Sequence, residues 1–221
     1  MQKIPMREVM TVMMEMVTRA YKIAEMELRK DSTEDGSENN VLTGYVAEFE
    51  KFSHELNDFF SGKFKEKIRK GAFENSIRSK VIKALWNHDD NKVLGSTKSK
   101  TLNLWEDERG LKFELILPNS SWGKDALESV RRGDVDGMSF GFIPTVTEWD
   151  DVNPNETIRT LVEVDLIEVS PVAFPAYPQT SVSARNLKSL EEDYKKHKEK
   201  SFQIEKMSLE KRKLNLLKEE C

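Results

Sequence analysis

Residues 137–141, Gly-Met-Ser-Phe-Gly, set one serine between two glycines with an apolar residue on each side. Such a serine is a candidate nucleophile for acyl transfer. The same residues also suit a small-residue bend, so the rest of the chain must decide. A free hydroxyl is a weak nucleophile at neutral pH and needs a base beside it. Histidine fits that role best, because its pKa lies near the working pH. The sequence holds three histidines: His54, His88 and His197. His54 lies in the polar run Lys-Phe-Ser-His-Glu-Leu-Asn-Asp, which reads as a loop, and His197 lies in a charged tail. His88 ends the apolar run Val-Ile-Lys-Ala-Leu-Trp-Asn-His, where a scaffold can aim a side chain into a cleft. His88 is the candidate by elimination. The competing reading is a surface histidine, alone or bonded to Asp89 or Asp90.

The third member of such a set is an acid that fixes the imidazole tautomer. Val-Glu-Val-Asp-Leu-Ile-Glu-Val-Ser offers Glu163, Asp165 and Glu168 within one expected strand. Strand alternation puts Glu163 and Asp165 on one face, and Glu168 on the other beside Val164 and Leu166. An acid on an apolar face needs a partner, which favours Glu168. Asp165 stays in play, because a bulge would exchange the two faces.

The elements that must carry these residues exclude one familiar scaffold. The nucleophile elbow of α/β-hydrolases needs an apolar strand before the serine, a helix after it, and the order Ser, acid, His. Here Arg-Arg-Gly-Asp-Val-Asp precedes Gly137, the strand-like Phe-Gly-Phe-Ile-Pro-Thr-Val follows Ser139, and the only later histidine is His197.

The spacing predicts an amphipathic helix over 6–30 within an N-terminal segment 1–30, then a polar linker at 31–40. Residues 41–186 read as the main domain. Val41–Ser53 is expected to be a strand with a bulge at Gly44. The run from Gly62 opens as a helix, with Phe64 and Ile68 on one face. Thr101–Leu117 is a hairpin, and a short helix follows Ser121, its expected cap, and stops at Gly133. Two strands then surround the turn at 150–157. Many short strands and few helices point to an α+β fold, mainly an antiparallel β-barrel with flanking helices. Residues 187–221 read as a charged helical tail.

The chain has 221 residues, of which 38% are hydrophobic and 33% charged, with a net charge of -4. That balance gives no global pull toward nucleic acid or an anionic membrane. No apolar run is long enough to span a bilayer, and no signal peptide is read. One cysteine, Cys221, rules out a disulfide within the chain and fits a reducing cytoplasm. There is no metal-ligand cluster and no phosphate loop, so no metal or cofactor is expected.

Four segments in order carry a resemblance: Asn-His-Asp-Asp-Asn-Lys-Val-Leu-Gly-Ser-Thr, Gly-Leu-Lys-Phe-Glu-Leu-Ile-Leu-Pro, Val-Arg-Arg-Gly-Asp-Val-Asp-Gly-Met-Ser-Phe-Gly-Phe, and Leu-Ile-Glu-Val-Ser-Pro-Val-Ala-Phe-Pro-Ala-Tyr-Pro. Together they resemble the prohead (capsid maturation) serine proteases of tailed bacteriophages, over roughly 41–186. That family looks related in fold to the herpesvirus assembly proteases. The resemblance implies a β-barrel with surrounding helices and a peptidase that acts inside an immature capsid in the host cytoplasm. It puts the nucleophile on Ser139, the base on His88 and the acid on Glu168. The herpesvirus relatives use a second histidine as third member, and their matching strand can be aligned to Asp165 instead. The substrates implied are scaffold and capsid-protein segments, with self-cleavage in 30–40 or after 186. An oxyanion site is looked for in Pro171–Pro178. No membrane or specific nucleic acid partner is implied, and the herpesvirus relatives suggest a homodimer. The alternative is a non-enzymatic capsid assembly or scaffold-binding module. A host serine hydrolase on another fold is disfavoured by the order of the segments.

Overall fold

A computed structural model describes residues 16–22, 26–32, 38–58, 62–150, 157–174 and 194–200, with 202–203, 206–207 and 210–211. Two long β-branched and aromatic runs build its frame, β10 (Gly137–Asp150) and β11 (Thr157–Val172), which pair antiparallel along their whole length. β1 (Val17–Lys22) adds to the free side of β10 and forms an edge. β5 (Gly62–Ile68) and β6 (Lys83–Trp86) both run parallel to β11, at its start and near its end. β4 (Leu56–Asp58) and β7 (Asp89–Ser96) complete this seven-stranded sheet. A four-stranded sheet holds β2 (Glu27–Ser32), β3 (Glu38–Glu48), β9 (Gly110–Ile116) and β8 (Leu102–Glu106), in that order. The architecture is α+β, but the larger sheet is mixed, not antiparallel throughout. Two crossover connections cause this, because a strand that returns to β11 from elsewhere in the chain is free to align with it.

One core lies between the sheets. Leu42, Val46, Leu104, Leu111, Phe113 and Leu115 come from the smaller sheet, and Phe140, Phe142, Leu161, Val164, Leu166 and Val169 from the larger. Phe73 from the approach to α1 (Glu74–Ser79) meets Phe140 edge-on at 5.5 Å.

Local chemistry explains most boundaries. The β8–β9 hairpin closes because Asp107 Oδ1 accepts the N–H groups of Arg109 and Gly110. Position 110 must be glycine, since a Cβ there would lie 2.0 Å from the Ala47 carbonyl oxygen. That approach is made at the bulge of β3, which falls between Tyr45 and Ala47 and not at Gly44. α2 (Ser121–Arg132) is capped one residue earlier than expected, by Ser120, whose Oγ accepts from Gly123 N–H. Gly133 ends it in the left-handed region, at φ 78°.

Two helix expectations are corrected. The run from Gly62 is the strand β5; Phe64 and Ile68 are four apart, a spacing that suits one helix face and one strand face equally. The N-terminal helix over 6–30 is contradicted where the structure describes it, because β1 and β2 occupy 17–22 and 27–32. Each finds an open strand to pair with, β10 and β3, and tertiary pairing overrides a helical pattern of apolar residues. β1 and β2 thus pair with strands of the expected main domain, and residues 33–37 of the expected linker lie outside the described residues. Residues 1–15 lie outside the described residues. In the tail, 194–200 are helical, and Tyr194 stands against Trp149 with ring centroids 5.1 Å apart. Most of the remaining tail lies outside the described residues.

Candidate active site

β10 carries Ser139 as part of a continuous strand, not a bend. Its cross-strand partner on β11 is Ser170, and Gly141 is opposite Glu168. Phe140 faces Val169, and Phe142 faces Leu166, both pairs inside the core. The two faces thus separate: hydrophobic pairs inward, and Ser139, Ser170 and Glu168 together on the other face. Glu168 reaches that face through a bulge. Between Gly141 and Phe142 the register on β11 skips Ile167, which turns outward. Without that extra residue Glu168 would share the inward face of Leu166, as simple alternation predicts.

His88 arrives from a turn that the sequence reading did not resolve. Trp86 pairs with Asp89, so Asn87 and His88 are the two central residues of a β6–β7 hairpin. Both have positive φ, 51° and 60°, as a type I′ turn requires. Asparagine before histidine was the available signal, since both tolerate the left-handed region better than most residues. The turn is clasped to the end of β11: Asn87 N–H donates to Pro171 O, and Ala173 N–H donates to Asn87 Oδ1, each at 3.1 Å. His88 N–H donates to Ser170 Oγ at 3.3 Å.

These contacts bring the imidazole to the acid. His88 Nδ1 is 2.7 Å from Glu168 Oε1, and Ser170 Oγ donates to Glu168 Oε2 at 2.5 Å. A buried carboxylate accepts at Nδ1, so that nitrogen carries the proton and Nε2 is left basic. Asp89, the nearer acid in sequence, is held instead by Asn91 N–H and Nδ2, and Asp90 by Asn91 Nδ2. Asp165 is 2.6 Å from Lys80, and Glu163 accepts from Asn75, both away from His88. His54 and His197 are not brought to this cluster; the rings of His197 and Tyr194 are 6.3 Å apart. In the segment considered for the oxyanion, Ala173 N–H is taken by Asn87, and 175–178 lie outside the described residues.

Ser139 is 1% exposed. Its hydroxyl donates to the main-chain oxygen of Arg19, on β1, at 3.0 Å. Gly141 makes room for the acid: a Cβ there would lie 2.6 Å from Glu168 Oε1 and 2.9 Å from Met16 Sδ. Both atoms end flexible side chains, so the fold can yield, but the carboxylate would leave His88. Gly141→Ala should keep a near-wild-type melting temperature while kcat/KM on a peptide falls roughly 100-fold. An unchanged rate would mean that the Glu168 position is not critical.

A second charged cluster lies under β1. Arg19 donates from Nε to Glu66 Oε1 at 2.6 Å and from Nη2 to Oε2 at 3.2 Å. Arg159 Nη1 donates to Oε2 at 3.1 Å, and Glu66 and Arg159 are both fully buried. Burial pushes the Glu66 carboxyl up, but Arg19 and Arg159 outweigh it and hold the acid below its ordinary value of 4.5. The unfolded chain therefore binds this proton more readily. The stability it contributes is complete above about pH 4.5 and is lost as pH falls through the depressed folded value. The urea midpoint should fall as pH drops below 4.5, and less steeply in Glu66→Gln. That variant should also be about 3–5 kcal/mol less stable at pH 7, because it strands buried arginine charge.

Ser139 and Glu168 share one face of two paired strands, and the β6–β7 turn brings His88 to the acid; these are the residue types that serine peptidases use. The profile of the caudovirus prohead serine proteases matches residues 24–196, and the chain belongs to that family. It is a protease of phage capsid maturation, and this sets aside the non-enzymatic assembly module. No curated protein matches the chain. Among solved structures, the capsid assembly protease gp21 of bacteriophage T4 superposes with a TM-score of 0.43 at 11% identity, covering 70% of this chain and 97% of that one. Among the described residues there is no helix long and apolar enough to cross a membrane and no His, Cys, Asp and Glu cluster that could hold a metal ion.

Proposed function

We propose that the chain is an endopeptidase that cuts scaffold and capsid-protein segments inside the prohead, and itself, with Ser139 as nucleophile, His88 as base and Glu168 as orienting acid. The observation that carries this reading is the 2.7 Å contact between His88 Nδ1 and the buried Glu168, on the sheet face that bears Ser139. Nε2 of His88 takes the Ser139 proton as Oγ attacks the scissile carbonyl. The tetrahedral intermediate collapses, and His88 returns the proton to the leaving amine. Water, activated by the same nitrogen, then releases the acyl group. Glu168 stabilises the imidazolium without taking its proton, and Ser170 holds the second carboxylate oxygen. The prohead lies within the host cytoplasm, and the protease works there as a homodimer without specific nucleic acid; sedimentation of the purified chain checks the dimer.

The test is intact-mass analysis of wild type and Ser139→Ala, each expressed with the capsid protein of the same phage. Trimming by wild type alone supports the reading. Equal trimming by both assigns the cuts to a host protease and overturns it.

A further inference from the structure

β1 sits where a substrate would sit. It is an edge strand, added antiparallel to the strand that carries Ser139, which is the geometry of peptide recognition by strand addition. Ala20 is registered opposite Ser139, and the preceding carbonyl, that of Arg19, accepts the Ser139 hydroxyl. The side chains of Val17 and Arg19 alternate inward. Val17 is fully buried opposite Phe142, and Arg19 turns to the same inward face to meet Glu66 with two hydrogen bonds. Such a side-on pair of bonds suits a guanidinium and no other side chain.

We infer that Glu66 is the specificity-determining residue of a subsite for an arginine immediately before the scissile bond, that an apolar residue is read two positions earlier, and that Arg19–Ala20 is the protease's own first substrate. The inference rests on the catalytic assignment above. Arg159 also donates to Glu66 Oε2, from β11, and so holds the carboxylate independently of β1. The buried carboxylate then faces a vacated position, which the next guanidinium fills. A substrate lacking that charge leaves Glu66 partly unanswered in a dry site, and a site built around such a bond discriminates strongly.

The self-cleavage step balances as ordinary hydrolysis. The Ser139 hydroxyl turns from the Arg19 oxygen to His88, and Oγ bonds to the Arg19 carbonyl carbon. The Arg19–Ala20 C–N bond breaks, and the proton passes through His88 to the new amino group of Ala20. One water then cleaves the ester and frees the Arg19 carboxylate. Removal of residues 1–19 also uncovers the β10 edge opposite Phe140–Phe142, where the residues before the scissile bond of a substrate in trans would pair.

The full chain is expressed as wild type, Ser139→Ala, Arg19→Lys, Arg19→Leu and Arg19→Glu, and its mass is followed with time. Purified wild type is then given peptides of residues 14–25 with Arg, Lys, Leu or Glu at position 19. Wild type should begin at Ala20, Arg19→Lys should be cut more slowly, and the other three variants should keep their N-termini. Leucine and glutamate peptides should be cut roughly 1000-fold more slowly than the arginine peptide. Glu66→Gln, where it folds, should narrow that ratio while Glu66→Asp preserves it; the wild-type peptide series stands whether or not it folds. Cleavage of chain and peptides only at other bonds, or equal rates across the series, overturns the subsite and leaves the protease intact. No cleavage with Ser139 still labelled by a fluorophosphonate does the same. An unlabelled Ser139 removes both readings.

Discussion

Ser139→Ala should lower kcat/KM for peptide cleavage by about 10⁶ while leaving the fold in place. Alanine removes only the oxygen that forms the acyl bond. It also deletes the hydrogen bond to the Arg19 carbonyl, a neutral pair of the kind that contributes about 1 kcal/mol. The melting temperature should therefore move by a few degrees at most, and β1 should stay on β10 through its strand ladder and the Arg19–Glu66 pair. Steady-state kinetics beside thermal melts separates the two effects. A variant retaining more than about a thousandth of the wild-type rate would place the nucleophile elsewhere.

Glu168→Gln should lower kcat/KM by about 10⁴. The amide keeps the size of the side chain and can still meet the imidazole, but it no longer stabilises an imidazolium. It can also present an N–H to Nδ1, which pushes the proton to Nε2 and removes the base. The Ser170 hydroxyl, which donates to the carboxylate, gains an acceptor of lower charge. Asp165→Asn is the matching control. Its acid is paired with Lys80 near the protein surface, so kcat/KM should stay within about twofold, in line with a surface ion pair of small worth. A large loss in Asp165→Asn with none in Glu168→Gln would exchange their roles.

Much of the molecule is written in local sequence. Asp107 and Gly110 specify the β8–β9 hairpin, and Ser120 with Gly133 delimits α2, because caps and turns depend on a few adjacent residues. The alternating runs of β10 and β11 are equally plain. The proposed site was nameable from residue types too: Ser139, His88 and Glu168 are the types acyl transfer requires, in segments that read as strand, strand end and strand.

What lay beyond the sequence depends on partners far along the chain. The N-terminal region has helical apolar spacing, yet it forms β1 and β2 because β10 and β3 offer open edges. Alternation alone put Glu168 on the apolar face, and only the skip at Ile167 turns it toward Ser139. His88 could be chosen by elimination, but its aim comes from a two-residue turn clasped to Pro171 and Ala173. Nothing in the local run marks Glu66, and the fold buries it against Arg19 and Arg159, each more than forty positions away along the chain. Residue types and short turns are fixed by forces that act over a few bonds. Which face an acid takes, which strand covers a serine and which charges share a dry interior are settled by pairing between distant segments, and no single stretch of sequence encodes that choice.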